Sequence, residues 1–259
     1  MSAAQQTAIS QVFPDRILVR GYSLVELAQA RAFGDVVYLL LQGELPTGQE
    51  GRLIEVMLAM MVEHSINAPS VHAARTVASA GSPLQTAVAA GVSAIGEFHG
   101  GAGEACARLL QEAVAAAPPE ADLRAVAREI VADFRRRKQR LPGFGHRFHN
   151  PDPRAEALLA LAQRWGVAGC HTALAQALVQ ALQEATGRSL PLNIDGAVAA
   201  LISDMGFHWR MGKGLFLLAR TAGLLAHVQE EMTTGKPFGF VPKTPVTYMG
   251  QPERPLPPT

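Results

Sequence analysis

From Thr76 to Gly96 the chain carries no charged side chain, and this stretch constrains the fold more than any other feature. It is long enough to cross a bilayer. Yet it holds Ser79, Ser82, Gln85 and Thr86, and Gly81-Ser82-Pro83 interrupts it. Glycine frees the backbone and proline cannot continue a helix. The stretch therefore reads as two buried helices, about 68–80 and 83–97, and not as a membrane span. A helix without a polar face has to be covered by a core or by another subunit. That predicts a homodimer or a higher homo-oligomer.

The remaining pattern is helical as well. Ser23, with Glu26 three residues on, is a capping box. A second helix runs from Gly34, turns Val36, Val37, Leu39, Leu40 and Leu41 inward, and stops at Gly43-Glu44-Leu45-Pro46. Thr47 opens a third, on which Leu53, Ile54, Met57, Leu58 and Met61 recur at helical spacing. Further helices are expected at about 101–116, 120–139, 153–165, 171–186, 194–205 and 210–233. Residues 1–20 read as irregular or extended, and the Pro- and Gly-rich tail beyond Gly235 as irregular chain that lies on a partner subunit. No run of β alternation and no tandem repeat is visible. The expectation is an all-α fold in a single domain over 1–259, to which about 100–190 contributes a small mobile subdomain.

Composition narrows the function classes. With 259 residues, 48% apolar and 17% charged, the chain can bury one sizeable core. A net charge of +1 offers no basic surplus, so neither nucleic acid nor a membrane surface is an expected partner. The cysteines, Cys106 and Cys170, make neither a disulfide scaffold nor a metal site and fit a reduced, cytoplasmic protein. Met1–Gln6 lacks the basic and apolar regions of a signal peptide.

Four places put polar groups where apolar ones are expected. His64 ends an apolar helix and is read first as a capping histidine, with Asn67 or Ser70 capping the next helix. His99-Gly100-Gly101 reads equally as a tight turn or as a loop whose N–H groups approach a ligand. Leu141-Pro142-Gly143-Phe144-Gly145-His146-Arg147 follows a basic run, and Asp152 with Pro153 then suits a helix start. Asp195 stands at the mouth of an apolar helix, either as its N-cap or as a carboxyl partly removed from water, with a raised pKa suited to moving a proton to or from carbon. Beyond these four places, Arg220 lies inside another apolar helix and needs an anionic partner. Histidines 64, 99 and 146, Asp195, Arg154 and Arg220 have no metal-ligand spacing, and no nucleophile elbow or Walker loop accompanies them. Arginine forks bind carboxylates, and neutral imidazoles donate to carbonyl or enolate oxygens. Carbon–carbon chemistry beside a thioester fits that set, as do other chemistries.

Several motifs in order carry a resemblance. Arg20-Gly21-Tyr22, Gly43-Glu44-Leu45-Pro46, His64-Ser65-Ile66-Asn67-Ala68, His99-Gly100-Gly101-Ala102, Pro142–Arg147, Asn150–Arg154, Asn193–Ala197 and Ala219–Gly223 resemble the citrate synthase superfamily from about Arg20 to His227. In that family a long helical stretch separates Gly-Glu-Leu-Pro from the first histidine. Here a single helix joins Pro46 to His64, so the chain looks like the compact citryl-CoA lyase type, including the module at the end of ATP-citrate lyase.

The resemblance implies a citrate-synthase-like multi-helical fold lacking that insertion, a homodimer, and a site at the subunit boundary. It implies cleavage of citryl-CoA, or a related 3-hydroxyacyl-CoA, to acetyl-CoA and oxaloacetate without a metal. A coenzyme A thioester and a small carboxylic acid are then the ligands, with no tightly bound cofactor and with a citryl-CoA synthetase as a protein partner. By position, Asp195 looks like the acid/base at the acetyl methyl carbon, His99 like the enol donor, and His146 like the group at the citryl hydroxyl. His64, Arg154 and Arg220 look like carboxylate binders, and Leu141, Pro142, Gly143, Phe144 and Gly145 like the loop that meets the CoA adenine. The family usually adds an arginine from the partner beyond the Arg220 helix. Lys236, Lys243 and Arg254 stand nearby without matching its motif. A condensing enzyme joining an acyl-CoA to a 2-oxo acid, and a non-catalytic CoA-binding subunit, are the competing readings.

Overall fold

The computed structural model describes residues 5–146, 148–239, 245 and 247–257; Arg147 and Lys243 lie outside them. The described N-terminus forms a small antiparallel sheet in the order β1-β2-β3, with β1 at Ser10–Val12, β2 at Ile17–Val19 and β3 at Tyr22–Ser23. Arg20 and Gly21, with φ of 48° and 88°, form the two-residue turn between β2 and β3. The sheet adds order where irregular or extended chain was expected. Its strands are too short for alternation to register in the sequence.

Eleven helices follow among the described residues. They are α1 Leu24–Ala30, α2 Phe33–Gln42, α3 Glu50–Met61, α4 Pro69–Ser79, α5 Leu84–Ser93, α6 Ala102–Ala116, α7 Leu123–Arg136, α8 Pro153–Arg164, α9 Cys170–Thr186, α10 Ile194–Asp204 and α11 Met211–Thr234. Local chemistry sets their ends. Ser23 accepts from the Glu26 N–H, and Gly43, at a φ of 95°, closes α2 in the left-handed region that favours glycine. Asp152 accepts from the Arg154 N–H with Pro153 in the first turn of α8.

Three expected caps differ. α3 starts at Glu50 rather than at Thr47. Ala68 precedes α4, so neither Asn67 nor Ser70 caps it; the Asn67 N–H donates to Ser65 Oγ instead. Asn193, not Asp195, caps α10 by accepting from the Gly196 N–H. The Asn193 side chain reaches the free amides of the first turn, and Asp195 is left for other work.

The main core surrounds α10, whose Gly196–Ser203 stretch is buried throughout. α6, α8, α9 and α11 pack on it. α6 and α11 meet where Gly103 faces Gly212; a methyl on Gly212 would come within 2.7 Å of the Gly103 carbonyl oxygen. A second core joins Val71, Ala74 and Ala78 of α4, Ala87 of α5, and Leu224 and Val228 of α11. Its outer side carries the exposed Leu84, Leu218, Leu225 and Met232. Among the described residues no helix is long and apolar enough to cross a membrane.

Candidate active site

Asp195 occupies the first turn of α10, and the residues around it are held by a network that begins at Asp152. The Asp152 carboxylate is 1% exposed. It accepts from the backbone N–H of Arg154, from Arg154 Nε at 3.0 Å and Nη2 at 2.9 Å, and from the Ile194 N–H at 3.1 Å. One carboxylate thus caps α8, grips the Arg154 fork and ties the start of α8 to the start of α10. Burial would raise its pKa, but the hydrogen bonds and charge of Arg154 and the Ile194 amide hold it below the ordinary range.

The loop 141–145 is fastened to the same place. The Gly145 N–H donates to the Pro191 carbonyl at 2.8 Å, the Asn193 N–H donates to the Gly143 carbonyl at 3.0 Å, and Asn193 Nδ2 donates to the Gly145 carbonyl at 2.8 Å. Gly143 and Gly145 hold φ of 84° and 72°, and a side chain on Gly143 would meet Gly196 Cα and Cys106 Sγ at 2.8 and 2.9 Å. Leu141 and Gly143 face the core, so within this segment Pro142, Phe144 and Gly145 are the partly exposed residues.

The imidazoles arrive from three loops. His64 and His146 lie with ring centroids 5.4 Å apart. His146 Nδ1 accepts from the N–H groups of Phe148 and His149, both at 3.1 Å, so the neutral ring carries its proton on Nε2. His149, which the sequence reading passed over, stacks on His146 at 4.6 Å and stands edge-on to His64 at 6.0 Å. Burial, then the Arg154 charge, holds His64 below the usual histidine value. His146 is lowered first by burial and then by its charged neighbours, against the opposing pull of Asp152. His99 Nε2 shares a 2.8 Å hydrogen bond with Ser70 Oγ, whose residue is wholly buried. His99 is lowered by burial and by Arg220. Ser70 is the second residue missed; as a small hydroxyl in the first turn of a helix, its only sequence signal was that of a cap.

Arg220 joins these groups. It is 3% exposed, donates through Nε and Nη2 to the Met61 carbonyl at 3.4 and 3.3 Å, and lies 4.9 Å over the Phe216 ring. Among the described residues no carboxylate comes within ion-pair distance of it, which fits a guanidinium awaiting an anionic ligand. Its charge acts on His64, His99 and Asp195. All six expected site residues are therefore linked through Arg220, Arg154 and Asp152. Burial raises the Asp195 pKa against the opposing pull of Arg154 and Arg220, so this carboxyl can hold a proton where an ordinary one would not.

Of the candidates for an additional carboxylate clamp, Lys236 lines a surface cavity of about 330 Å³ between the α4–α5 turn and the end of α11, with Ser79, Ser82 and Met232. Arg254 is exposed in the tail.

The chain is similar to known proteins of one family. The citrate synthase C-terminal domain family matches residues 48–241. The citrate/2-methylcitrate synthase of Bacillus subtilis is 31% identical over 241 residues, covering 91% of this chain and 60% of that protein. The chain spans about half the length of the curated relatives it matches. The structure of citryl-CoA lyase from Hydrogenobacter thermophilus superimposes with a TM-score of 0.89 at 40% identity, covering 98% of both chains. The ATP citrate lyase of Methanothrix soehngenii, solved with citrate and coenzyme A, shares the fold at a TM-score of 0.84 and 24% identity, over 98% of this chain and 43% of that one.

Proposed function

The chain belongs to the citrate synthase family, and from that premise we propose that it is a carbon–carbon lyase of the citryl-CoA lyase type. Its substrate is citryl-CoA or a related 3-hydroxyacyl-CoA, and its products are acetyl-CoA and oxaloacetate or their analogues. The observation that carries this reading over condensation is closeness of match. The chain superimposes on a citryl-CoA lyase with a TM-score of 0.89 at 40% identity over 98% of both proteins, against 31% identity to the citrate/2-methylcitrate synthase.

The geometry supports a division of labour. Arg220 and Arg154, with His64, bind the carboxylates of the acid portion. Nδ1 of His146 is occupied by two amides, so its Nε2 edge serves the substrate hydroxyl oxygen. His99, kept neutral and oriented by Ser70, donates to the thioester oxygen as the enol forms. A water molecule takes the hydroxyl proton while the Nε2–H of His146 donates to that oxygen, which becomes the carbonyl of oxaloacetate. The bond between that carbon and the thioester methylene breaks, its electron pair forms the enol, and protonated Asp195 delivers a proton to the methylene carbon. One proton leaves oxygen and one arrives on carbon, so the step is balanced without a redox partner. This division of labour involves acid/base groups alone and draws on no metal. Pro142, Phe144 and Gly145 supply the surface offered to the CoA adenine.

A second copy of the chain fits the apolar outer face of α5 and α11, where Leu84, Leu218 and Leu225 would otherwise meet water. The proposed protein is a cytoplasmic homodimer, fed by a citryl-CoA synthetase.

The test is incubation of the pure protein with citryl-CoA while oxaloacetate is trapped. Oxaloacetate and acetyl-CoA without free citrate support the proposal. Free CoA released from acetyl-CoA plus oxaloacetate identifies a condensing enzyme, and the absence of both activities identifies a binding subunit.

A further inference from the structure

Arg220, Gly223 and His227 share one face of α11, spaced by successive helical turns. The Glu63 carboxylate lies over the middle of that row, where a methyl on Gly223 would come within 3.0 Å of its Oε2. The same Oε2 accepts from His227 Nε2 at 3.1 Å. Arg220, one turn back, donates only to the Met61 carbonyl among the described residues. We infer that His227 and Glu63 form a latch, which holds an internal carboxylate off Arg220 and keeps that guanidinium open for the organic acid. This role rests on the proposed binding of a carboxylate by Arg220. It assigns two positioning residues that touch no reacting atom.

The surroundings show why a latch is needed. A buried guanidinium without an anion is costly, so any ionised carboxylate in reach is drawn to it. Of the carboxylates whose charge acts on Arg220, Glu63 acts more strongly than Asp195. Burial favours the neutral form of Asp195. Burial also pulls the Glu63 pKa up, but the hydrogen bond and charge of His227, the His64 amide and the Arg220 charge hold it below the ordinary range. Glu63 is therefore the ionised rival. Its side chain keeps 37% of its surface in water and has room to turn. Its backbone is already beside α11, because the Val62 carbonyl packs on Gly223 where a side chain would stand. Bonded to His227, the carboxylate leaves the Arg220 N–H groups to a ligand. Released, it competes with the ligand from inside the chain. If it then occupied Arg220 for about nine-tenths of the time, an external carboxylate would bind about tenfold more weakly, since only the open fraction is competent.

The experiment is calorimetric titration of citrate into the full chain, without coenzyme A and without turnover, with the melting temperature of each variant measured alongside. His227→Phe should weaken citrate binding about tenfold. His227→Gln keeps a side-chain N–H donor and should stay near the native affinity. Glu63→Gln added to His227→Phe should restore the native affinity, because a neutral amide does not compete for the guanidinium. A merely structural tie between Glu63 and His227 would give no such rescue, since removing both partners leaves the tie broken. His227→Ala carries the same pair of expectations if the phenylalanine variant does not fold. Unchanged binding in His227→Phe, or weakened binding that Glu63→Gln fails to restore, overturns the latch and leaves the proposed role of Arg220 standing. Arg220→Gln tests that role separately and should abolish citrate binding. Citrate binding that survives Arg220→Gln, or no citrate binding by the native chain, overturns the proposed role of Arg220 and the latch with it.

Discussion

Replacing Asp152 by alanine removes one carboxylate that accepts four hydrogen bonds. Breaking a buried ion pair by deleting one partner costs about 3–5 kcal/mol. Arg154 keeps 21% of its side-chain surface in water, so solvent repays part of that, and the low end, about 3 kcal/mol, is the better figure. Losing the α8 cap adds about 1 kcal/mol. A chain of 259 residues unfolds with an entropy of roughly 0.5 kcal/mol per kelvin, so about 4 kcal/mol lowers the melting temperature by about 7 °C. Thermal unfolding followed by circular dichroism at fixed protein concentration reads this directly. Asp152→Asn keeps an acceptor and the cap and should lose about half as much. The acid limb gives an independent check. The folded-state pKa of Asp152 is depressed, so its contribution is present above the ordinary carboxylate range and disappears as pH falls through and below about 4. The alanine variant should therefore lose less stability than the native protein over that interval. A melting shift below about 2 °C, or parallel acid curves for the two proteins, would refute the assignment of Asp152 as the tie between α8 and α10.

Asp195→Asn should fold normally and lose at least about a hundredfold in cleavage rate, as acid/base groups do; stopped-flow assay of oxaloacetate release checks it. Ser70→Ala frees the His99 ring and should lower kcat about tenfold with little change in KM, by loss of one aligned donor at the enol. Gly223→Ala drives a methyl into the Val62 carbonyl. Because Arg220 is anchored on the adjacent Met61, weaker acid binding should accompany a lower melting temperature, read by KM and unfolding together. The pKa values of His64, His99 and His146 are lowered, so their neutral forms persist under mild acid. The acid half-point of kcat should fall below pH 6.5, the ordinary histidine value.

The helices were legible because the chain writes them twice, in apolar spacing and in terminal residues. Gly81-Ser82-Pro83 separates α4 from α5 where the break was expected, and Asp152-Pro153 begins α8. Cap identity was harder to read. Asn193 and Asp195 are both good cap residues, and only the reach of the Asn193 side chain to the Gly196 amide decides between them. The β1–β3 sheet escaped because two or three residues cannot display a period. Ser70 and His149 escaped for a different reason. Each gains its meaning from a residue distant in sequence, His99 and His64 respectively, and spacing along one helix or loop carries no trace of such a meeting. The three-histidine cluster was hidden in the same way, since His64 lies before α4 and the other two follow α7.

The bonds that fasten 143–145 to Pro191 and Asn193 make one slab of the strip proposed to meet the nucleotide and the helix that bears Asp195. In the proposed reaction, grip on the distant adenine and aim at the reacting carbon are then set by a single body. Any hinge that opens the pocket has to bend elsewhere. Loosening those bonds would be felt as misdirected proton delivery before it was felt as weaker attachment of coenzyme A.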